Sequence, residues 1–168
     1  MDFVIRPASV HDAKALRDVH HASFRAAYRD LIPAAELDRS LAGKDTDWYR
    51  RMIDAPGTPR AGTWVAVAEG APIGFAHFRE SGEPIAADLT LLYLHPDAWG
   101  TGLARPLLDA ALDDMRTLEF QLVRVEVFAD HPRACRFYER AGFRETEDAG
   151  VTRYGDSWIG VAYYRLGL

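Results

Sequence analysis

The chain has 168 residues, 48% of them hydrophobic, and a formal net charge of −5. That length suits one compact domain over residues 1–168, while the negative balance argues against a nucleic-acid or anionic-membrane surface, both of which need a dense positive field. A single cysteine, Cys135, rules out an internal disulfide and a cysteine zinc cluster. With no basic-then-apolar leader and no apolar run of about 20 residues, a soluble cytoplasmic protein is expected.

The first element is a short strand, residues 3–6, closed by Pro7, which has no amide to donate. Ser9 and Asp12 then form a capping-box start, with Ala13, Leu16, Val19 and His20 at helical spacing. Further helical stretches are expected at residues 24–28 and 48–53, the latter stopping before Pro56-Gly57. From Thr63 the pattern alternates: TWVAVAE, a turn over residues 70–72 and IGFAHFRE make a hairpin. Beyond a loop around Gly82 and Pro84, DLTLLYL is another strand. A bend from His95 to Gly102 and a helix over residues 106–118 come next, with Leu108, Leu112 and Met115 on one stripe and Pro106 in the first turn. LVRVEVF alternates again, Val123, Val125 and Val127 facing one way and Arg124 and Glu126 the other. His131-Pro132 opens a helix whose Ala134, Phe137, Tyr138 and Ala141 repeat at i, i+3, i+4 and i+7, stopped by Gly142. SWIGVAYYRL is the last strand, paired with one near residues 144–147. The order predicts a mixed α/β (α+β) sheet, in which the strand-helix-strand unit implies one parallel pair.

Gly100 and Gly102 stand between a strand and a helix N-terminus. Such a place can hold a phosphate, because first-turn amides point outward and the helix dipole favours negative charge; it can equally be a plain turn. A P-loop, G-x-x-x-x-G-K-S/T, is absent. A dinucleotide fingerprint counted from Gly100 and Gly102 puts bulky Arg105 where a small residue is needed.

Residues 99–104, Trp-Gly-Thr-Gly-Leu-Ala, are similar to the pyrophosphate loop of the GNAT N-acetyltransferases, Gln/Arg-x-x-Gly-x-Gly/Ala, with Trp99 in place of the usual first residue. LYLHP before the loop resembles that family's fourth strand, and VEVFADHPRACRFYERAGF its fifth strand and following helix. FVIRPAS and ASFRAAYRDLIP resemble the N-terminal part of family members. The resemblance implies a GNAT-like acyl-CoA N-acyltransferase fold: a mostly antiparallel sheet, a parallel pair at the fourth and fifth strands, and flanking helices. It also implies acetyl-CoA as co-substrate and no metal. The pyrophosphate would lie over the amides of Gly100, Thr101, Gly102, Leu103, Ala104 and Arg105, and the pantetheine arm along the backbone of Leu92, Tyr93 and Leu94. An amide of that strand would stabilise the charge of a tetrahedral intermediate.

The activity implied is acetylation of a primary amine on a small molecule or protein. Tyr138 matches the family tyrosine placed to protonate the departing sulfur; the alternative is an amphipathic core tyrosine. Asp88 and Glu126 compete for the role of base, and neither is preferred. His131 stands where many members have a cofactor-contacting asparagine, and it equally suits a helix N-cap beside Pro132. Phe24, Tyr28 and Trp48 are candidates for the acceptor pocket or for the core, and Glu80, Asp148 and Asp156 for attracting a cationic amine. The histidines at 11, 20, 21, 77 and 95 have no zinc spacing, and Cys135 reads as an ordinary thiol. The other function class left open is a catalytically silent coenzyme A or acyl-CoA sensor or recruitment module of the same fold. Tyr138 and the two carboxylates favour the enzyme, and Trp99 and His131 keep the silent module open. The partner expected is the amine acceptor, with no nucleic acid or membrane, on a monomer or homodimer.

Overall fold

The computed structural model describes residues 2–54 and 60–168. Seven strands, β1 (Val4–Pro7), β2 (Ala61–Ala68), β3 (Ala71–Glu80), β4 (Ala86–Leu94), β5 (Leu122–Phe128), β6 (Arg144–Tyr154) and β7 (Ser157–Gly167), form one sheet in the order β1-β2-β3-β4-β5-β7-β6. Every neighbouring pair is antiparallel except β4 with β5. That parallel pair requires a crossover, supplied by α4 (Ala104–Thr117). The mixed sheet and its parallel pair are as the sequence predicts.

Successive strand residues face opposite ways, so each strand feeds two cores. Val65 and Phe75 pack with Ala13, Leu16 and Val19 of α1 (Ala13–Tyr28) and Tyr49 of α3 (Thr46–Ile53). Their neighbours Ala66 and Ala76 pack on the other side with Leu107, Leu108, Ala111 and Met115 of α4. Tyr138 on α5 (Pro132–Arg140) joins that second core. Arg6 on β1 forks onto Asp12 with two contacts of 2.8 Å, and Asp12 also accepts from the Ser9 amide at 2.8 Å, so the expected capping residues tie β1 to the helix start. Arg6 holds the Asp12 carboxyl below the usual carboxylate range.

Several boundaries differ from the sequence reading, for identifiable reasons. Residues 24–28 are not a second helix but the last turns of α1, which runs unbroken. His20 is buried with its Nδ1 2.7 Å from the Tyr49 hydroxyl, a distant partner that lets a polar residue sit on the apolar stripe. The helix α2 (Ala34–Ala42) has no counterpart in the sequence reading; only Leu37 and Leu41 anchor it, too few to make a period. The hairpin turn is Glu69-Gly70, not residues 70–72, with φ of 51° and 81°, a two-residue loop whose twist suits the strands it joins. The helix α4 starts at Ala104, two residues before Pro106, and β6 runs well past residue 147 to Tyr154. The helix stop at Pro56-Gly57 lies outside the described residues.

Two features of β4 open space along its edges. It pairs with β5 only from Ala86↔Leu122 to Asp88↔Arg124, after which the strands part. Against β3 its register jumps between His77↔Leu91 and Phe78↔Leu89, making Thr90 the extra residue of a bulge.

Candidate functional site

Where β4 and β5 part, two cavities meet. One is a cleft of about 620 Å³ between the end of β4, the Gly100 loop, α5 and the last turn of α1. The other, of about 360 Å³, lies between Phe24 and Tyr28 of α1, the start of β4, and β5, with Tyr154 and Tyr163 from the C-terminal hairpin. Tyr28 and Tyr93 line both.

Two glycines shape the loop that borders the cleft. Gly100 and Gly102 have φ of 79° and 84°, a handedness that costs other residues roughly 1–2 kcal/mol. A Cβ at either would meet nothing within 4 Å, so conformation rather than crowding calls for glycine, and the peptides stay open to the cleft. The Thr101 hydroxyl donates to the Ala98 carbonyl at 2.8 Å and the Trp99 indole to the Leu94 carbonyl at 2.9 Å, stapling the loop to β4. The following helix has no side-chain cap and no acidic residue in its first turn, which leaves amides free to receive an anion. Arg105, Arg133, Arg136 and Arg140 also line the cleft, and no carboxylate does among the described residues, although the chain carries a net charge of −5. The Arg133 guanidinium lies 4.5 Å above the Trp99 ring. A cation is thereby held over the position where the family loop has glutamine or arginine.

Of the residues expected around a cofactor, Leu92, Tyr93, Leu94, Gly100, Gly102, Ala104, Arg105 and His131 line this cleft together with Tyr138. Thr101 and Leu103, expected there too, do not line it: the Thr101 hydroxyl is spent on Ala98 and Leu103 is in the core. The two readings of Tyr138 prove compatible. Its ring packs on Phe137 and Phe143, with centroids 5.2 and 5.3 Å away, while the residue borders the cleft. Burial pushes its phenol up, keeping it protonated at neutral pH. His131 is the N-cap of α5, its Nδ1 accepting from the Ala134 amide at 3.2 Å. Burial lowers its pKa, so the ring is neutral with its proton on Nε2, on the nitrogen not used by the cap.

Asp88 and Glu126 are absent from the cleft and border the second cavity instead. They differ in what surrounds them. Asp88, the last β4 residue paired with β5, lies 3.1 Å from Arg124 Nε. Arg124 also meets Glu83, which Arg165 approaches to 3.3 Å. Glu126 is exposed and in no ion pair among the described residues; it stands near enough to Tyr154 to add to the rise that burial imposes on that phenol.

Of the three aromatic residues read as candidates for an acceptor pocket or the core, Phe24 and Tyr28 line the second cavity together with Glu126, and Trp48 lines a different one. Glu80 pairs with Arg60 and Asp156 with Arg153, and neither they nor Asp148 borders the second cavity. It misses Phe128, Tyr154 and Tyr163, and it misses the arginines of α5. The latter have a signal: positions 133, 136 and 140 fall at i, i+3 and i+7, on one helix face. The rings do not: Tyr28 meets Phe128 at 4.6 Å and Phe128 meets Tyr154 at 5.9 Å, across elements far apart in the chain.

Comparison with known proteins agrees with this geometry. The family model described as the acetyltransferase (GNAT) family matches residues 18–143. Among solved structures, the PaiA N-acetyltransferase of Thermoplasma acidophilum in complex with coenzyme A is similar, with a TM-score of 0.82 and 20% identity over 96% of this chain and 98% of that one. YncA of Salmonella typhimurium with acetyl-CoA gives a TM-score of 0.73 and 21% identity over 100% and 95%. Among curated proteins, the mycothiol acetyltransferase of Propionibacterium freudenreichii is 30% identical over 137 residues, which are 79% of this chain and 40% of that one. A second mycothiol acetyltransferase, of Geodermatophilus obscurus, is 36% identical over 64 residues, 21% of its length. The chain thus spans less than half the length of the curated relatives it matches.

Proposed function

The chain belongs to the GNAT acetyltransferase family, and from that premise we propose that it transfers the acetyl group of acetyl-CoA to a primary amine. Coenzyme A would lie in the arginine-lined cleft and the amine in the cavity beside Glu126. The observation that carries this reading is the fork itself: pairing stops at Asp88 and Arg124, and two chemically different cavities open onto the gap, sharing Tyr28 and Tyr93. A reaction between two bound molecules needs such a meeting point.

The residues present suit the group. Past Asp88 the β4 edge that faces β5 has no strand partner among the described residues, so its amides and carbonyls are available to the peptide-like pantetheine arm. The open loop peptides, the uncapped helix start and four arginines suit the phosphates. Bound there, acetyl-CoA supplies the activated thioester. A β4 amide would donate to its carbonyl oxygen as negative charge develops.

The amine must lose its ammonium proton to become a nucleophile. Glu126 is the better base because its carboxylate is unengaged, whereas Asp88 is committed to Arg124. A nitrogen–carbon bond would form and the carbon–sulfur bond break with its electron pair passing to sulfur, Tyr138 would give that sulfur its proton, and the second proton lost by nitrogen would leave to solvent, from which Tyr138 is reprotonated. The burial that holds the proton on Tyr138 would also raise the proton affinity of a thiolate leaving beside it, which keeps the transfer near balance. The test is free-thiol release from acetyl-CoA on addition of primary amines. Amine-dependent release supports the reading, and coenzyme A binding without release from any amine favours the silent module instead.

A further inference from the structure

Next to the acceptor cavity lies another, of about 440 Å³, to which the transfer chemistry assigns nothing. Thr90, the bulged residue of β4, lines both, so the two are neighbours across a single side chain. Its walls carry Lys44, Arg51 and Arg79 with Trp48 and Met52, and no carboxylate among the described residues.

The arginine-lined cleft shares this charge pattern, whereas other cations of the chain are neutralised in place. Arg6, Arg25, Arg50, Arg60, Arg116 and Arg153 each sit against a carboxylate, as expected where acidic residues outnumber basic ones, 25 to 20. Arg51 and Arg79 have no such partner among the described residues. Arg79 stands opposite Asp88 in the β3–β4 register, but Asp88 is turned to Arg124. Lys44 is half-buried with its Nζ donating to the Ser40 carbonyl at 2.7 Å, and burial, with no carboxylate to offset it, lowers its pKa. Desolvating the Lys44 ammonium without a counter-ion costs free energy that an arriving anion would recover, and Arg51 and Arg79, both exposed, would add hydrogen-bond donors to it. Trp48, held edge-on against Tyr49 at 4.8 Å, gives the cavity a flat apolar wall.

We propose that this cavity is an anion subsite of the acceptor, taking a carboxylate or phosphate carried at the far end of a substrate whose amine lies at Glu126. The inference rests on the transferase reading and narrows it: the acceptor is an amine with a distal negative charge rather than a polyamine. Neutral His77, whose pKa burial drops to about 4 and whose Nδ1 faces the Thr63 hydroxyl at 2.8 Å, forms part of the floor and adds no charge at pH 7.

Two measurements test the subsite separately from the transfer. In the first, wild-type protein saturated with coenzyme A is titrated with inorganic phosphate and followed by tryptophan fluorescence, with Trp48→Phe assigning the signal. A Trp48-dependent change, weakened at least about tenfold in an Arg51→Gln/Arg79→Gln variant that still binds coenzyme A, is expected. In the second, thiol release is measured with a series of ω-amino carboxylates, their neutral amides, and phosphoethanolamine beside ethanolamine. The anionic member of a matching pair should have a KM at least about tenfold lower, and the double variant should erase that preference while leaving kcat for the neutral member unchanged. Which anion shows the larger gap distinguishes carboxylate from phosphate. Equal KM values in wild type, or a phosphate response indifferent to the double substitution, would overturn the subsite and leave the transferase standing. Phosphate binding without thiol release from any amine would overturn the reading on which the acceptor's identity rests.

Discussion

The two cavities at the fork are built from opposite materials. The arginine-lined cleft, proposed for coenzyme A, owes its character to backbone features and cations: a left-handed glycine pair, a bare helix start, a strand edge without a strand partner and four arginines. The cavity beside Glu126, proposed for the acceptor, is lined by aromatic rings from α1, β5 and the C-terminal hairpin and by two carboxylates in different surroundings. Backbone geometry is specified by neighbours in sequence, whereas a ring cluster is specified only once distant elements have packed. A fold can therefore keep one cavity constant while the other changes its selectivity.

Substitutions should separate the two. The largest effect is expected from Tyr138→Phe, which removes the proton from the coenzyme A side while keeping the ring that packs on Phe137 and Phe143. A fall in kcat on the order of 10³, with coenzyme A affinity unchanged, should appear in steady-state and binding measurements. On the acceptor side, Glu126→Gln should lower kcat about 100-fold at neutral pH, whereas Asp88→Asn should change it less than about threefold. If Asp88→Asn proved the more damaging, the division between a free base and an ion-paired neighbour would be wrong. Arg133→Ala should weaken coenzyme A by roughly fivefold to tenfold without altering the acceptor KM, as removal of one cation from a phosphate site does.

A milder contrast concerns acid. His20 and His77 both serve the α1–α3 side of the sheet, and burial drops them to about 3 and about 4. The unfolded chain takes up these protons near pH 6.5, while the folded one refuses them until far lower pH. Stability is therefore complete above about pH 6.5 and declines as pH falls towards 4, by about 1.4 kcal/mol per pH unit for each histidine. Urea unfolding at pH 7, 6 and 5 measures this slope. His77→Gln should flatten it, and a slope the same in that variant would remove His77 from the account.

The division between backbone and side chain also explains what the sequence discloses. The Val123, Val125, Val127 alternation, the Leu108, Leu112, Met115 stripe and the glycine pair are local patterns, and all three stand in the structure as predicted. α2 escapes because two leucines make no period. Neither the fork nor the bulge at Thr90 has a sequence signature, since each is a matter of register between strands. Asp88 and Glu126 look equivalent in sequence; Arg124 and its own neighbours make them different.

The central claim is that coenzyme A and the acceptor occupy different cavities of the fork. Calorimetric titration of coenzyme A into wild type, Gly102→Glu and Glu126→Gln tests it most directly. Gly102→Glu places a bulky negative side chain where φ is 84° and the loop peptides lie open, and it should weaken binding at least about 100-fold, or about 2.7 kcal/mol, in a protein that circular dichroism shows to be folded. Glu126→Gln should bind coenzyme A like wild type. Tight binding by Gly102→Glu, or its loss in Glu126→Gln, would contradict the assignment.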